Sequence, residues 1–86
     1  MSQVIMYSSD YCPYCMRARS LLDAKKICYD IINVDVDPAQ RTKMCALSGR
    51  TSVPQVWIGD LHVGGFSDLW ALESQGELDD LLGTEL

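Results

Sequence analysis

Cys12-Pro13-Tyr14-Cys15 stands where an apolar run ends and an amphipathic stretch begins, and this placement constrains the chain more than any other feature. Val4-Ile5-Met6-Tyr7 reads as a short buried strand closed by Ser8-Ser9-Asp10. After the cysteines, Cys15, Ala18, Leu21 and Leu22 recur at helical spacing, with Arg17, Arg19, Ser20 and Asp23 opposite, so residues 13–25 are predicted as a helix. Pro13 lacks the N–H that the first helical position would leave unpaired anyway, and its fixed φ suits that position. Cys12 is thereby expected at a helix N-terminus, facing unpaired N–H groups and the positive end of the dipole, which favour thiolate over thiol. Cys15 continues the apolar stripe and is expected to be more buried and less ionised. An accessible thiolate beside a protected thiol one turn away is a nucleophile with a resolving partner.

The rest of the chain continues the alternation. Ile31, Ile32, Val34 and Val36 form a second strand-like segment, starting near Cys28. Pro38 opens a helix that runs to Leu47 and is stopped by Ser48-Gly49. Gln55-Val56-Trp57-Ile58 and Leu61-His62-Val63, separated by Gly59-Asp60, carry a hairpin signal. Ser67 is a candidate cap for a helix bearing Leu69, Trp70 and Leu72, and Gly76 precedes a last turn with Leu78, Leu81 and Leu82. The order β-α-β-α-β-β-α predicts an α/β fold: a mixed four-stranded sheet flanked by helices, its first β-α-β unit parallel and right-handed.

Eighty-six residues, 48% hydrophobic and 22% charged, have room for one core, so residues 1–86 are read as a single domain. No apolar run nears the roughly 20 residues that cross a bilayer, and the first residues lack a basic start and a long apolar stretch, so neither membrane nor secretory signal is expected. The net charge of −5 argues against a nucleic-acid surface. All seven Lys and Arg lie in residues 1–50 with five acids, whereas residues 51–86 carry seven acids and no base. Four cysteines without a secretory signal suggest redox or metal chemistry rather than stapling disulfides. A zinc site would need a second ligand pair, and Cys28, Cys45 and His62 supply none in suitable spacing. Cys28 and Cys45 are therefore read as small packing residues, and His62 as a strand side chain without a special task.

Cys12-Pro13-Tyr14-Cys15, Thr51-Ser52-Val53-Pro54 and Gly64-Gly65-Phe66-Ser67-Asp68-Leu69, in this order, resemble a dithiol glutaredoxin over essentially the whole chain. The resemblance implies a thioredoxin fold and a cytoplasmic, glutathione-dependent thiol–disulfide oxidoreductase. In it Cys12 attacks protein–glutathione mixed disulfides and protein disulfides, and Cys15 resolves the latter through a redox-active Cys12–Cys15 disulfide. It further implies a cis bond before Pro54, with Val53 pairing an extended thiol peptide, and a glutathione site made of Tyr14, Val53, Pro54, Gly65, Phe66, Ser67 and Asp68. Glutathione and glutathionylated or disulfide-containing proteins are then the expected partners, with a monomeric enzyme and no metal.

Three positions depart from the family pattern. Ser9, followed by Asp10, stands where a lysine often binds glutathione, and Arg41, Lys43 or Arg50 is the candidate replacement cation. Phe66 stands where cysteine is frequent and Ser67 where aspartate is frequent. One alternative keeps the fold but takes electrons from a flavoprotein reductase, as a glutaredoxin-like thioredoxin does. Another is a dimeric iron–sulfur carrier bridging a cluster through Cys12 and bound glutathione, although Pro13 departs from that pattern.

Overall fold

A computed structural model describes residues 3–83. Its elements are β1 (Val4–Ser8), α1 (Pro13–Ala24), β2 (Asp30–Asn33), α2 (Pro38–Ser48), β3 (Gln55–Ile58), β4 (Leu61–Gly64), α3 (Phe66–Ser74) and α4 (Leu78–Leu82). The strands form one mixed sheet in the order β2-β1-β3-β4. β1 pairs with β2 in parallel and with β3 antiparallel, Tyr7 lying opposite Gln55 and Val4 opposite Ile58. The β3–β4 hairpin turns at Gly59-Asp60, as its sequence predicts.

Alternation along β1 sorts its side chains onto two faces. Val4 and Met6 join Ala18, Leu22, Val56, Ile58, Leu69, Leu78 and Leu82 in a core covered by α1, α3 and α4. Tyr7 joins Val34 and Met44 on the face covered by α2, with Ile5, Ile32, Cys45 and Trp57 packed against them. Met6, Leu22, Met44 and Leu69 have no exposed surface, and each contributes roughly 1.5–3 kcal/mol of hydrophobic burial. β1 is thus clamped from both sides, and its C-terminal end is held where the dithiol begins.

Three boundaries differ from expectation. β2 begins at Asp30 rather than near Cys28 and stops at Asn33 rather than Val36. Asn33 Oδ1 accepts the N–H groups of Asp35 (2.8 Å) and Val36 (3.3 Å), and this side-chain turn replaces the strand ladder. Val34 still reaches the core, but Val36 is 76% exposed. Cys28 is exposed and so is not a packing residue, whereas Cys45 does pack against the second core. Finally, α3 starts at Phe66 with Gly65 as its cap, two residues before the expected Ser67 cap. In α2 Pro38 opens the helix and Gly49 ends it at φ 71°, as the sequence predicts, and the structure adds Asp37 as its cap, accepting the Ala39 N–H at 3.0 Å.

Candidate active site

The loop after β1 delivers Cys12 as the N-cap of α1, in extended conformation with Pro13 at the first helical position. Cys12 Sγ accepts the Cys15 N–H at 3.2 Å, one of the orphan donors of the helix start. The same sulfur, as a thiol, donates to the Val53 carbonyl at 3.5 Å across 41 residues of sequence. Cys15 is 1% exposed against the first turn. Burial pushes its thiol pKa up, a hydrogen bond with the Cys12 thiol adds to this, and contacts with Ser8 and Ser9 pull the other way. The two sulfurs therefore differ in access, Cys12 being partly exposed and Cys15 buried. All four cysteines are free thiols.

Beside Cys12 lies a groove of about 330 Å³. Tyr14 from α1, Val53 and Pro54 from the loop before β3, and Gly65, Phe66, Ser67 and Asp68 from the start of α3 line it. The structure thus brings all seven expected groove residues together, and the Val53–Pro54 bond is cis. Tyr14 faces Phe66 with ring centroids 6.5 Å apart, and the Arg17 guanidinium lies 5.3 Å from the centre of the Tyr14 ring. Gly65 brings its backbone so close to the Pro54 carbonyl that a Cβ there would lie 3.4 Å from that oxygen. The antiparallel β1–β3 pairing explains the assembly: it sets the end of β1, which leads to Cys12, beside the start of β3, which follows Pro54.

Arg50 and Ser52 also line the groove. Ser52 was not singled out from the sequence, although it lies inside the Thr51-to-Pro54 motif. Arg50 Nη1 bonds Asp68 Oδ2 at 2.9 Å, and the Gly65 N–H donates to the same oxygen at 3.0 Å. Arg50, and secondarily the Gly65 N–H, hold the Asp68 carboxyl below its ordinary range. Of the three candidate replacement cations, Arg50 is the one in the groove. Arg41 pairs with Asp35 at 3.1 Å and reaches the Thr51 carbonyl at 3.5 Å, and Lys43 is not among the lining residues. Ser9, in the position of the absent lysine, donates its hydroxyl to Asp35.

His62 has more of a task than its sequence position suggests. Its Nε2 lies 2.8 Å from Oε1 of the fully buried Gln55, whose Nε2 donates to the Ser52 carbonyl at 3.0 Å. As the Gln55 amide donates to Ser52, His62 must present an N–H to Gln55. This buried chain anchors the loop that carries Val53 and Pro54. Among the described residues, no group of three or more His, Cys, Asp or Glu is arranged to hold a metal ion, and no helix is long and apolar enough to cross a membrane.

Comparison with known proteins agrees with this geometry. The glutaredoxin family model matches residues 4–63. A glutaredoxin of Pseudomonas aeruginosa is 46% identical over 82 residues, covering 95% of this chain and 98% of that protein. The solution structure of glutaredoxin from Brucella melitensis superimposes with a TM-score of 0.86 at 46% identity, over 100% of this chain and 95% of that one. The crystal structure of a buckwheat glutaredoxin–glutathione complex gives a TM-score of 0.89 at 28% identity, covering 95% of this chain and 77% of that one. With its thioredoxin fold and its Cys-x-x-Cys at a helix start, the chain belongs to the glutaredoxin family of thiol–disulfide oxidoreductases.

Proposed function

We propose that this glutaredoxin uses glutathione to reduce protein–glutathione mixed disulfides and protein disulfides, with Cys12 as nucleophile and Cys15 as resolving thiol. The observation that carries the reading is the pairing of an N-capping sulfur with a buried sulfur one turn on, beside a groove that ends in a helix N-terminus. The Cys12 thiolate attacks the glutathione sulfur of a mixed disulfide. A Cys12–glutathione bond forms as the protein–glutathione bond breaks, and the departing protein thiolate takes a proton from water. One free glutathione thiolate then attacks the glutathionyl sulfur, restoring the Cys12 thiolate and releasing oxidised glutathione, half of which is the substrate's own glutathionyl group, so each turnover consumes one glutathione. With a protein disulfide, Cys12 forms the mixed disulfide. Cys15 then loses its proton and attacks Cys12, releasing the protein dithiol and leaving a Cys12–Cys15 disulfide that two glutathiones reduce.

In this reading glutathione lies between Tyr14 and Phe66, paired to the Val53 backbone, with its γ-glutamyl carboxylate at the Ser67 and Asp68 N–H groups. Arg50 supplies the positive charge that Ser9 does not. The buckwheat relative, solved as a glutathione complex, supports this placement by its overall similarity. The enzyme works as a monomer in the cytoplasm, where glutathione is kept reduced.

The test is a set of three variants assayed with glutathione. Cys12→Ser should abolish turnover of both substrate classes, while Cys15→Ser should keep deglutathionylation and lose protein-disulfide reduction. Arg50→Gln should raise the KM for glutathione and leave kcat nearly unchanged. Full activity of Cys12→Ser, or an oxidised protein reduced by thioredoxin reductase and not by glutathione, would overturn the reading.

A further inference from the structure

On the other side of Phe66 a second, larger depression opens. Its volume is about 440 Å³, and Met16, Arg17, Ser20, Leu21, Phe66 and Trp70 line it. A shallower extension of about 250 Å³ continues past Met16 and Ser20 to Arg19 and Asp23. Phe66 also lines the groove beside the cysteines, so the two depressions share that ring as a wall, and this trough follows the face of α1 that carries Met16, Arg17 and Ser20. The trough begins next to the chemistry: the Met16 N–H bonds the Cys12 carbonyl at 3.1 Å, and Ser20 lies one further turn along.

Its floor is apolar and wet. Met16 is 66% exposed and Trp70 53% exposed, neither needed to close the core. Trp70 is stacked on Phe66 with centroids 6.4 Å apart, so its ring is held as a wall. Its rim carries two arginines and one carboxylate on a chain of net charge −5. Arg17, whose guanidinium also lies over the Tyr14 ring, borders the main depression. Arg19 and Asp23 border the extension, where Asp23 accepts the Tyr29 hydroxyl at 2.7 Å.

We infer that this trough docks the polypeptide of the substrate, as distinct from its glutathione moiety. The partner is an extended segment next to the reactive cysteine, with an apolar side chain between Met16, Leu21 and Trp70 and an acidic residue against Arg17 or Arg19. The inference rests on Cys12 as the attacked-sulfur partner proposed above. The Phe66 ring shared by the two grooves argues for this occupant. In a mixed disulfide bound at Cys12, glutathione occupies the groove on one side of the phenyl ring and the protein chain leaves along the other. The basic rim, on an otherwise acidic molecule, selects acidic over basic flanks.

The experiment compares three substrates under excess glutathione: the cysteine–glutathione mixed disulfide, a glutathionylated peptide with Leu and Glu beside its cysteine, and the same peptide with both replaced by Ser. The parent chain should favour the Leu/Glu peptide over the Ser peptide. Met16→Ser/Trp70→Ser should lower kcat/KM for the Leu/Glu peptide about tenfold, through KM, as expected for the loss of about 1.4 kcal/mol of apolar contact. Arg19→Glu should raise that KM as well. None of these variants should alter turnover of the cysteine–glutathione disulfide, which has no chain to dock. Equal rates for both peptides, or variants that leave the Leu/Glu peptide unaffected, overturn the docking trough alone. Self-association of the parent chain that Met16→Ser/Trp70→Ser abolishes also overturns it, giving the trough to a second copy. No turnover of the cysteine–glutathione disulfide by the parent chain overturns the functional reading, and the trough with it.

Discussion

Gly64→Ala tests how the groove is held open. Gly64 has φ +116°, and a Cβ built there would collide with the Asp68 carboxylate oxygen, lie 2.8 Å from Asp68 Cγ and 3.0 Å from Arg50 Nη1. Asp68 is a side-chain end and can swing away, so the collision itself is cheap. Its consequence is the loss of what Asp68 holds. Releasing the Gly65 N–H at the start of α3 costs about 1 kcal/mol, by analogy with a lost helix cap. The Asp68–Arg50 pair, with side chains 44% and 48% exposed, adds only about 0.5 kcal/mol. A non-glycine residue at this φ costs about 1–3 kcal/mol more. The total is about 2.5–4.5 kcal/mol, which for a domain of this size lowers Tm by at least roughly 10 °C. Thermal and urea unfolding of the reduced protein, followed by far-UV circular dichroism, would measure it. A double-mutant cycle isolates the mechanism. Asp68→Ala alone should cost about 1.5 kcal/mol, yet add almost nothing in the Gly64→Ala background, because the methyl group has already displaced the carboxylate. Additive losses would refute the argument, showing that Asp68 keeps its bonds beside the new side chain.

Two further predictions concern protonation. Burial, and secondarily Arg50, lower the pKa of His62 from its ordinary 6.5, against a smaller opposing pull from Asp68. The unfolded chain therefore binds a proton at pH values where folded His62 does not, and this stability is present above pH 6.5 and lost as pH falls below it. His62→Gln should flatten the urea midpoint across that window, and an unchanged slope would assign the pH dependence elsewhere. Lys25, at the end of α1, bridges Glu73 at 2.6 Å and Asp79 at 2.9 Å, and these bonds raise its pKa above 10.5. Its contribution is present below pH 10.5 and lost as pH climbs through the raised value, so Lys25→Gln should lower the urea midpoint at neutral pH, with the deficit shrinking only in stronger alkali.

What could be read from the sequence was what is decided within a few residues. The start of α1 follows from Cys12-Pro13, and the hairpin from Gly59-Asp60, because caps and turns are local chemistry. The end of β2 is also local, but Asn33 competes with the ladder through its own side chain, and the apolar Val34 and Val36 masked that competition. Cys28 and Cys45 are alike in sequence, yet one is exposed and the other packs under α2, since tertiary contact alone separates them. The site needed both kinds of information. Its motifs were visible, but Arg50 joins Asp68 across 18 residues, and His62 supports Ser52 only through Gln55. The position missing a lysine pointed to a needed cation, and the folded chain distinguishes Arg50 from Arg41, whose charge faces Asp35.

The antiparallel β1–β3 pair also gives the molecule an engineering polarity. The thiols gather at one end of these strands, and Gly59-Asp60 turns the chain at the other, about 10 Å away along β3. A reporter or affinity peptide spliced between Gly59 and Asp60 would ride on the enzyme without approaching Cys12. A single residue inserted within β1 or β3 would instead exchange the two faces of the strand, exporting Met6 or Val56 to the wrong side of the sheet. The permissive point begins one residue beyond the forbidden strand, at Gly59 after Ile58.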